Sequence, residues 1–452
     1  MKLVETRKKI SKKDCVIEVY GLGYVGFPLS VKLSNAGFRV FGIETGPDKL
    51  KRLENGSLIE NEMYLETDYK NARKKGNLIL SNTSKPQSKP KIGIICVPTP
   101  IPKKNMQSDY YVILAAKNFL SCAKPGDIII IESSLEVGTT ETVGQLIKKQ
   151  GFKLGDNFGL SYCPERIDPK NKKWNLHNIP RVAFSSDDIT FSIIKKIYNH
   201  INKGNLFRIE EPKTVEVIKS FENAFRLVNI SLVNELAILC DKLGINISDV
   251  IKGASTKPFG FMPFYFGAGA GGHCIPKDPI FLVNSSKRFS YNFETIQSAV
   301  KINSFIPTYI SNTINKIIKN NKFPKSVIVC GMSYKMDMPD MRDSPGFKIV
   351  REFKNKGYEV SVHDPFLQEK LVDKYFKENE MEQLDVKILH DLKKESISGI
   401  GCLVIVQHHS KTALKINKIY KKSLVPFIYD CQGKLKKDDK TSCLLKGLGK
   451  LS

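Results

Sequence analysis

The sequence predicts an α/β protein in which two doubly wound parallel-sheet domains are joined by a central helical domain with one long helix. Strand-like apolar runs alternate with helical stretches near both ends of the chain, as at 92–97 and 327–331. Between these regions a single helical pattern runs from about Thr214 to Gly244. Strands that alternate with helices form parallel sheets covered by helices on both faces. We therefore place the domains at 1–212, 213–322 and 323–452.

Composition narrows the class of protein. The 452 residues are 41% hydrophobic and 26% charged, as is typical of a globular chain. The sequence has no run of 18 apolar residues, so we expect no membrane span. The basic N-terminus lacks the apolar core of a secretory signal, and we expect it to fray. Ten cysteines form no CxxC pair, which argues against zinc sites and disulfides and favours a reducing cytoplasm.

The net charge of +25 points first to a nucleic-acid partner. The lysines are spread along the whole chain, however, and short runs such as KKISKK at 8–13 are usually solvated surface. We therefore expect a small polyanionic ligand rather than nucleic acid or a membrane. A catalytically silent basic protein that holds nucleic acid or a nucleotide stays open as a second class.

A glycine-rich turn follows the first predicted strand. The strand covers residues 15–20, the motif Gly-x-Gly-x-x-Gly follows, and an acidic residue ends the next strand 18 residues after the third glycine. In a Rossmann-type NAD site such glycines admit a pyrophosphate, and the acid binds the ribose hydroxyls and repels the 2′-phosphate of NADP. A plain structural turn is the alternative. The predicted NAD-binding residues of this segment are Gly21, Gly23, Tyr24, Val25, Gly26 and Glu44.

The long helix has an apolar side and a polar side. Lys219 and Asn223, four residues apart, lie one above the other on the polar side. A lysine and a carboxamide so placed can hold an alkoxide or a carbonyl oxygen. From the sequence alone, a polar face turned toward solvent is the favoured explanation of the pair, and the functional interpretation gains weight only if the glycine-rich loop comes near it.

A second glycine-rich stretch, GAGAGGHCIPKDP at 267–279, surrounds Cys274. Proline suits the first turn of a helix, so we expect a helix to begin at Ile275-Pro276, and a helix N-terminus activates a nearby thiol. His273 and Lys277 flank the thiol, and Asp278 follows four residues on. A thiolate can attack an aldehyde, and a carboxylate can orient the water that hydrolyses the resulting thioester. We expect the other nine cysteines to be inert packing.

Six ordered stretches resemble the UDP-glucose/GDP-mannose dehydrogenase family of nucleotide-sugar 6-dehydrogenases. They are GLGYVGFPLS, VPTP, CPERIDP, KSFENAFRLVNISLVNELA, GGHCIPKDP and GMSYKMDMPDMRDSP. The resemblance implies a four-electron oxidation of a sugar C6 alcohol to a carboxylate, with NAD as the cofactor, for surface-polysaccharide or glycan synthesis. It also implies a homodimer that forms through the long helix. No metal is expected.

The resemblance further implies roles for individual residues. Cys274 would form a thiohemiacetal and then a thioester, while Lys219 and Asn223 would stabilise the oxyanion. Asp278 would support Lys219 and a hydrolytic water, and Glu165 would position that water or act as an acid or base. Further cofactor contacts would come from Pro98, Thr99, Ser134 and Arg342. The sugar nucleotide would contact Glu165, Arg166, Lys219, Asn223, Phe264, Tyr265, Gly271, His273, Tyr334 and Lys335.

Several residues depart from the family pattern. Ser134 stands where many members have threonine, and Ala268 and Ala270 replace common prolines, which we expect to loosen the loop. Pro169 replaces a second glutamate, and an arginine that precedes the loop in UDP-glucose enzymes is missing. These changes, with His273, resemble the branch that acts on UDP-N-acetylhexosamines. UDP-N-acetylglucosamine is the first expectation for the substrate, with UDP-N-acetylmannosamine and UDP-glucose as alternatives.

Overall fold

The computed structural model describes residues 2–59, 62–101, 107–168, 171, 173–367, 375–377, 381 and 385–449. The chain divides into two compact units. The first comprises Met1–Glu222 and Ile280–Tyr291, and the second comprises Asn223–Pro279 and Asn292–Ser452. The division into three domains stays a prediction. Two parallel α/β sheets with a helical region between them along the chain confirm the predicted fold class.

An eight-stranded sheet forms the centre of the first unit. Its strands lie in the order β3-β2-β1-β4-β5-β6-β7-β8, and every neighbouring pair is parallel except β6 and β7, which are antiparallel. Apolar residues of the strands and of the covering helices make two buried clusters, one on each face. The strands are β1 Val16–Tyr20, β2 Arg39–Ile43, β3 Leu78–Ser81, β4 Lys91–Ile95, β5 Ile128–Ile131, β6 Gly159–Tyr162, β7 Arg181–Ser185 and β8 Leu206–Ile209.

Seven described helices precede the long one. They are α1 Leu3–Ser11, α2 Gly26–Asn35, α3 Pro47–Glu54, α4 Glu66–Lys74, α5 Tyr110–Leu120, α6 Thr139–Lys149 and α7 Asp188–Tyr198. The expectation that the N-terminus frays is wrong, because α1 is an ordered helix. It buries Leu3 and Ile10, and Thr6 Oγ1 donates to the Gly126 carbonyl at 2.8 Å. Its lysines stay on the solvent side, and the few apolar residues between them supply the buried face.

A six-stranded sheet forms the centre of the second unit. All of its neighbouring pairs are parallel, in the order β11-β10-β9-β12-β13-β14. These strands are β9 Ser326–Cys330, β10 Glu359–His363, β11 Lys387–Ile388, β12 Cys402–Ile405, β13 Phe427–Asp430 and β14 Leu444–Gly447. The later helices are α8 Pro212–Leu243, α9 Ile247–Ala254, α10 Asp278–Lys287, α11 Glu294–Asn320, α12 Pro345–Asn355, α13 Lys394–Ile397 and α14 Ser410–Lys421.

The long helix α8 contributes residues to both units. Among the described residues it is the one helix long and apolar enough to cross a membrane, by length and composition alone. No such segment is expected from the sequence. Its polar side chains pair with neighbouring elements of each unit. Glu216 accepts hydrogen bonds from the Thr140 backbone and hydroxyl at 2.8 and 2.6 Å. Further along the helix, Ser231 Oγ donates to the Ala299 carbonyl at 2.8 Å.

The two sheets share a tight glycine turn at equivalent places. Gly21 follows β1 with φ +84, and a Cβ there would lie 2.8 Å from the Cys96 carbonyl oxygen. Gly331 follows β9 with φ +86, and a Cβ there would overlap the Gln407 carbonyl oxygen. In the first sheet the winding direction reverses between β1 and β4, and in the second between β9 and β12. Each glycine turn follows the first strand of its pair and contacts a residue just after the other strand. Doubly wound folds bind ligands at this switch point.

We expect the close backbone contact at Gly331 to make this position intolerant of a side chain. In G331A the new methyl group meets backbone, and we expect the free energy of unfolding to fall by roughly 2–4 kcal/mol. The matched control is G399A, because Gly399 also has a positive φ (+73) but faces open space. The control should lose only about 1 kcal/mol. Urea unfolding of both variants tests this, and equal losses would contradict a steric role for Gly331.

Candidate active site

The glycine turn after β1 has room for a ligand on one side only. A Cβ on Gly26 would overlap the Gly21 carbonyl oxygen, so that glycine is required by the turn itself. A Cβ on Gly23 would have nothing within 4 Å, so its backbone is open to an approaching group. Helix α2 begins at Gly26, directly after Val25, and Tyr24 is 42% exposed. An open backbone at a helix N-terminus fits the pyrophosphate of NAD.

Glu44 lies at the end of β2 and faces this turn. Its carboxylate accepts hydrogen bonds from the backbone of Leu22 at 3.3 Å and of Gly46 at 3.1 Å. Lys49 Nζ lies 3.0 Å from Glu44 Oε2. No sequence pattern marks Lys49 as part of this site, and its ammonium partly offsets the negative charge that would repel a 2′-phosphate. Binding of the ribose hydroxyls by this carboxylate stays a prediction.

The ends of β4 and β5 carry the other predicted cofactor residues. Thr99 is buried, whereas Pro98 is exposed and Ser134 is half-buried. The neighbouring Ser133 donates to the Val97 carbonyl at 2.7 Å, which ties the two strand ends together. Ser134 therefore follows a fixed residue and keeps part of its side chain at the surface.

Glu165 follows β6 and is held on both carboxylate oxygens. Oε1 accepts from the backbone of Arg166 at 2.6 Å and of Ile167 at 2.9 Å, and Oε2 accepts from the Arg181 guanidinium. Arg181 was not found from the sequence. The Arg166 side chain, predicted to contact substrate, pairs with Glu222 of α8.

A buried carboxylate organises the second unit. Asp278 has no exposed surface, and its Oδ2 accepts a hydrogen bond from Asn223 Nδ2 at 2.7 Å. Its Oδ1 lies 3.4 Å from Lys277 Nζ. Lys219 lies one turn before Asn223 on α8 and is half-buried. The structure thus joins Asn223 to Asp278, and the support of Lys219 by Asp278 stays a prediction.

Cys274 lies in a turn immediately before α10. The N–H groups of Lys277 and Asp278 both donate to the Cys274 carbonyl, at 3.2 and 2.8 Å. Residues 275–277 form a turn, and Pro279 has no N–H to donate to the Ile275 carbonyl. Regular helix therefore begins at Asp278, and the predicted start at Ile275-Pro276 is wrong. All ten cysteines lie in the described residues, and Cys274 is the exposed one, whereas Cys96 and Cys122 are half-buried and the other seven are buried.

The glycines before Cys274 pack against the segment that follows β9. A Cβ on Gly271 would lie 2.8 Å from both the Asp343 carbonyl oxygen and Tyr334 Cβ. Gly272 has φ +85, and a Cβ there would lie 2.7 Å from the Tyr334 ring. The Gly272 N–H donates to the Arg342 carbonyl at 2.9 Å. These two glycines are therefore required by protein packing, and a contact of Gly271 with substrate stays a prediction.

The alanines of the loop do not loosen it, contrary to expectation. The Ala270 N–H donates to Asn303 Oδ1 at 2.6 Å, and Asn303 Nδ2 donates to the Ala270 carbonyl at 3.0 Å. A proline at 270 would remove that donor. The Gly267 N–H donates to Asn234 Oδ1 at 2.9 Å, and Ala268 is buried in the apolar core. Two asparagines distant in sequence therefore anchor the loop.

Positive charge surrounds the thiol turn. Burial, together with the charges of Lys277 and Arg342, lowers the pKa of His273 to about 3, so the imidazole is neutral near pH 7. Burial also lowers the pKa of Arg342, but its hydrogen bonds to Asp340 and the nearby Tyr334 and Cys274 raise that pKa more. Arg342 therefore stays a cation close to Cys274.

The predicted aromatic contacts differ in exposure. Phe264 packs edge-on against Phe225 of α8, with ring centroids 5.8 Å apart. Tyr265 is 71% exposed and is available to a ligand. Tyr334 and Lys335 are half-buried in the loop after Gly331. The second unit thus contains Asn223, Phe264, Tyr265, Gly271, His273, Cys274, Asp278, Tyr334, Lys335 and Arg342. The first contains Lys219, Glu165, Arg166 and the other predicted NAD-binding residues.

These features define an NAD-dependent nucleotide-sugar dehydrogenase. The chain belongs to the UDP-glucose/GDP-mannose dehydrogenase family, since it matches the NAD binding domain of that family at 15–202, the central domain at 213–305 and the UDP binding domain at 328–437. It is therefore an enzyme, and NAD is its cofactor. A catalytically silent binding protein is not supported.

Relatives of known activity act on UDP-N-acetylhexosamines. The chain is 36% identical to the UDP-N-acetyl-D-mannosamine dehydrogenase of Methanococcus aeolicus over 82% of each protein. It is 30% identical to the UDP-N-acetyl-D-glucosamine 6-dehydrogenase of Pseudomonas aeruginosa, over 78% of this chain and 84% of that protein. The structure of the UDP-N-acetyl-mannosamine dehydrogenase Cap5O from Staphylococcus aureus matches with a TM-score of 0.80 and 28% identity, over 96% of this chain and 99% of that chain.

The neutral His273 predicts how stability depends on pH. A free histidine takes up a proton near pH 6.5, whereas His273 in the folded chain does so only near pH 3. Between these values the unfolded chain binds one more proton, so stability falls as the pH falls through this window. H273Q should lose less stability than the wild type between pH 7 and 4.5, by about 1 kcal/mol or more.

Urea unfolding of both proteins at the two pH values measures this difference. H390Q, at an exposed histidine of the same unit, is the matched control and should behave like the wild type. Parallel losses of stability in wild type and H273Q would show that His273 does not contribute.

Proposed function

We propose that this enzyme oxidises the C6 hydroxyl of a UDP-N-acetylhexosamine to a carboxylate, with UDP-N-acetylmannosamine as the first candidate. The observation that carries the proposal is the exposed Cys274, whose carbonyl is bonded to the N–H of a buried Asp278 that is itself bonded to Asn223. An accessible thiol beside a fixed carboxylate and carboxamide suits covalent oxidation of an aldehyde. The higher identity to a mannosamine enzyme (36%) than to a glucosamine enzyme (30%) favours the mannosamine epimer over the glucosamine expected from the loop sequence.

The chain's own groups divide the chemistry between them. NAD, when bound, supplies the hydride acceptor for both oxidations. The Cys274 sulfur adds to the C6 aldehyde and, after the second oxidation, holds the sugar as a thioester. Asn223 and Lys219 donate hydrogen bonds to the oxygen on C6 wherever it carries negative charge. Glu165 and Asp278 orient the water that releases the acid.

A basic groove in the second unit supports a UDP-linked substrate. It is a cavity of about 830 Å³ at the carboxyl ends of the strands, next to the loop that carries Tyr334 and Lys335. Five lysines outnumber two acidic residues in its lining, which includes Lys421, Lys434, Lys436, Lys437, Lys440, Asp438 and Asp439. Burial lowers the pKa of Lys434, so a nearby anion would help to keep it charged. The charge pattern suits a diphosphate.

We also propose that the enzyme works in the cytoplasm as a homodimer and supplies surface-polysaccharide or glycan synthesis. Free thiols suit a reducing compartment. An exposed apolar stripe along α8 supports the dimer, because such a stripe is costly in water unless something covers it. Its residues are Phe221, Phe225, Leu232, Leu239 and Leu243, which are 43–62% exposed.

A panel of UDP-sugars tests the reaction. With NAD, UDP-N-acetylmannosamine should yield two NADH per sugar, and UDP-N-acetylglucosamine and UDP-glucose should react more slowly. NADP should be a poorer cofactor because Glu44 repels its 2′-phosphate. C274A should abolish acid formation, by at least about a thousandfold, because the thioester cannot form. Full activity of C274A, or no turnover of any N-acetylated sugar, would contradict the proposal.

The dimer is tested by charges on the apolar stripe. The double variant L232D/L239D should be a folded monomer, because two buried carboxylates would face each other across the interface. Light scattering after size exclusion gives the mass, and circular dichroism reports the fold. L414D is the matched control, since Leu414 is 84% exposed and belongs to a different helix, α14. A dimeric double variant, or a wild type that requires detergent, would refute this interface.

A further inference from the structure

A buried cluster lies behind Glu165 in the first unit. Its members are Glu132, Arg181 and Tyr198, each only 2% exposed. None was predicted from the sequence, and none belongs to the predicted sites. Charged side chains are almost never fully buried unless they are paired, so the cluster calls for an explanation.

One guanidinium is shared by two carboxylates. Arg181 Nη1 lies 3.1 Å from Glu132 Oε1, and Arg181 Nη2 lies 3.3 Å from Glu132 Oε2. The same Nη2 donates to Glu165 Oε2. The Tyr198 hydroxyl donates to Glu132 Oε1, and the Tyr198 ring centroid lies 4.5 Å from the Arg181 guanidinium carbon. Every group in the cluster therefore restrains the guanidinium that bonds Glu165.

The sheet topology explains how these residues meet. Glu132 directly follows β5, and Glu165 lies three residues after β6. Arg181 is the first residue of β7, which runs antiparallel to β6 and so begins where β6 ends. Tyr198 is the last residue of α7. The reversal of β7 thus brings an arginine to the carboxyl edge of the sheet, where the predicted cofactor residues also lie.

Stability alone is a weak reason for such a cluster. Burial raises the pKa of Glu132, as does the nearby charge of Glu165, so two carboxylates compete for one cation. Replacing buried ion networks by apolar side chains is often neutral or stabilising. A network retained despite this cost suits a requirement for one fixed orientation of a polar group. The cluster's polar partner Glu165 is partly exposed, since its carboxylate is 10% exposed.

We infer that Arg181 is a positioning residue that fixes the Glu165 carboxylate for hydrolysis of the thioester, and that Glu132 and Tyr198 fix Arg181. The inference rests on the proposed function. In the step concerned, a water oxygen bonds to the thioester carbon, and one water proton passes to the Glu165 carboxylate. The carbon–sulfur bond breaks with its electron pair on the Cys274 sulfur, the thiolate takes up a proton from solvent while Glu165 releases its proton to solvent, and the uronic acid leaves.

The proposed role of Arg181 concerns hydrolysis of the thioester and not the two oxidations that precede it. Both oxidations precede hydrolysis, and the bonds of Cys274, Asn223 and Asp278 do not involve the cluster. Loosening Arg181 should therefore leave the first two NADH molecules nearly unaffected. It should slow only the release of acid, so that the thioester accumulates on Cys274.

The test compares R181K with the wild type and UDP-N-acetylmannosamine or whichever UDP-hexosamine is turned over. Lysine keeps the charge but lacks the fork that reaches both carboxylates. R181K should show a burst of two NADH per subunit at a near-normal rate and a steady-state rate about 10- to 100-fold lower. Intact-mass spectra after acid quenching should show the sugar attached to the protein.

A second variant and a control complete the design. Y198F removes only the hydroxyl that holds Glu132, and should show the same burst with a smaller, several-fold loss of steady-state rate. It decides the question if R181K does not fold. R208K, at a partly exposed arginine of β8 that pairs with Asp188, should behave as the wild type.

Two results would overturn the role of Arg181. One is an equal loss of burst and steady-state rate in a folded variant, and the other is an unchanged steady-state rate with no covalent adduct. A wild type that makes no NADH from any UDP-hexosamine would instead refute the proposed function itself.

Discussion

The hydrogen bond from Asn223 to the buried Asp278 is the interaction on which the geometry of the second unit's site depends. A carboxylate without exposed surface is costly unless it is paired. Asn223 Nδ2 donates to Asp278 Oδ2, and the Lys277 ammonium lies 3.4 Å from Oδ1. The backbone of Asp278 in turn bonds the Cys274 carbonyl. A single buried group thus fixes the thiol turn to the long helix, and the glycine loop must follow the path that this attachment leaves.

Local patterns were readable from the sequence because they depend on near neighbours. The turn from Gly21 to Gly26 is fixed by φ angles and close backbone contacts within a few residues, and its motif states them directly. The same holds for α8, where the spacing of four residues between Lys219 and Asn223 places both side chains on one side of the helix. The start of α10 was misplaced because Pro276 permits a helix start without requiring one. The actual start lies later because Pro279 has no N–H to donate to the Ile275 carbonyl.

Long-range side-chain pairs were not readable. Asn303 anchors Ala270 across 33 residues, and no periodicity in the sequence marks it. Arg181 reaches Glu165 only because β7 runs against its neighbour, and strand direction is not visible in a run of apolar residues. In the sequence Lys49 looks like any other lysine of a helix, and only the structure shows that it pairs with Glu44. The choice between two C2 epimers is harder still, because it depends on contacts to one acetamido group.

The exposure of Cys274 makes the enzyme sensitive to oxidation. Its neighbours Lys277 and Arg342 are cations, and thiols in electropositive, accessible surroundings are the first to be oxidised. Buried thiols such as Cys330 and Cys431 resist, because burial raises the pKa of each and keeps it protonated. Peroxide would therefore oxidise Cys274 before it oxidises the buried cysteines of the two sheets. Activity would be lost while the fold stayed intact, and a reductant added in time could restore it.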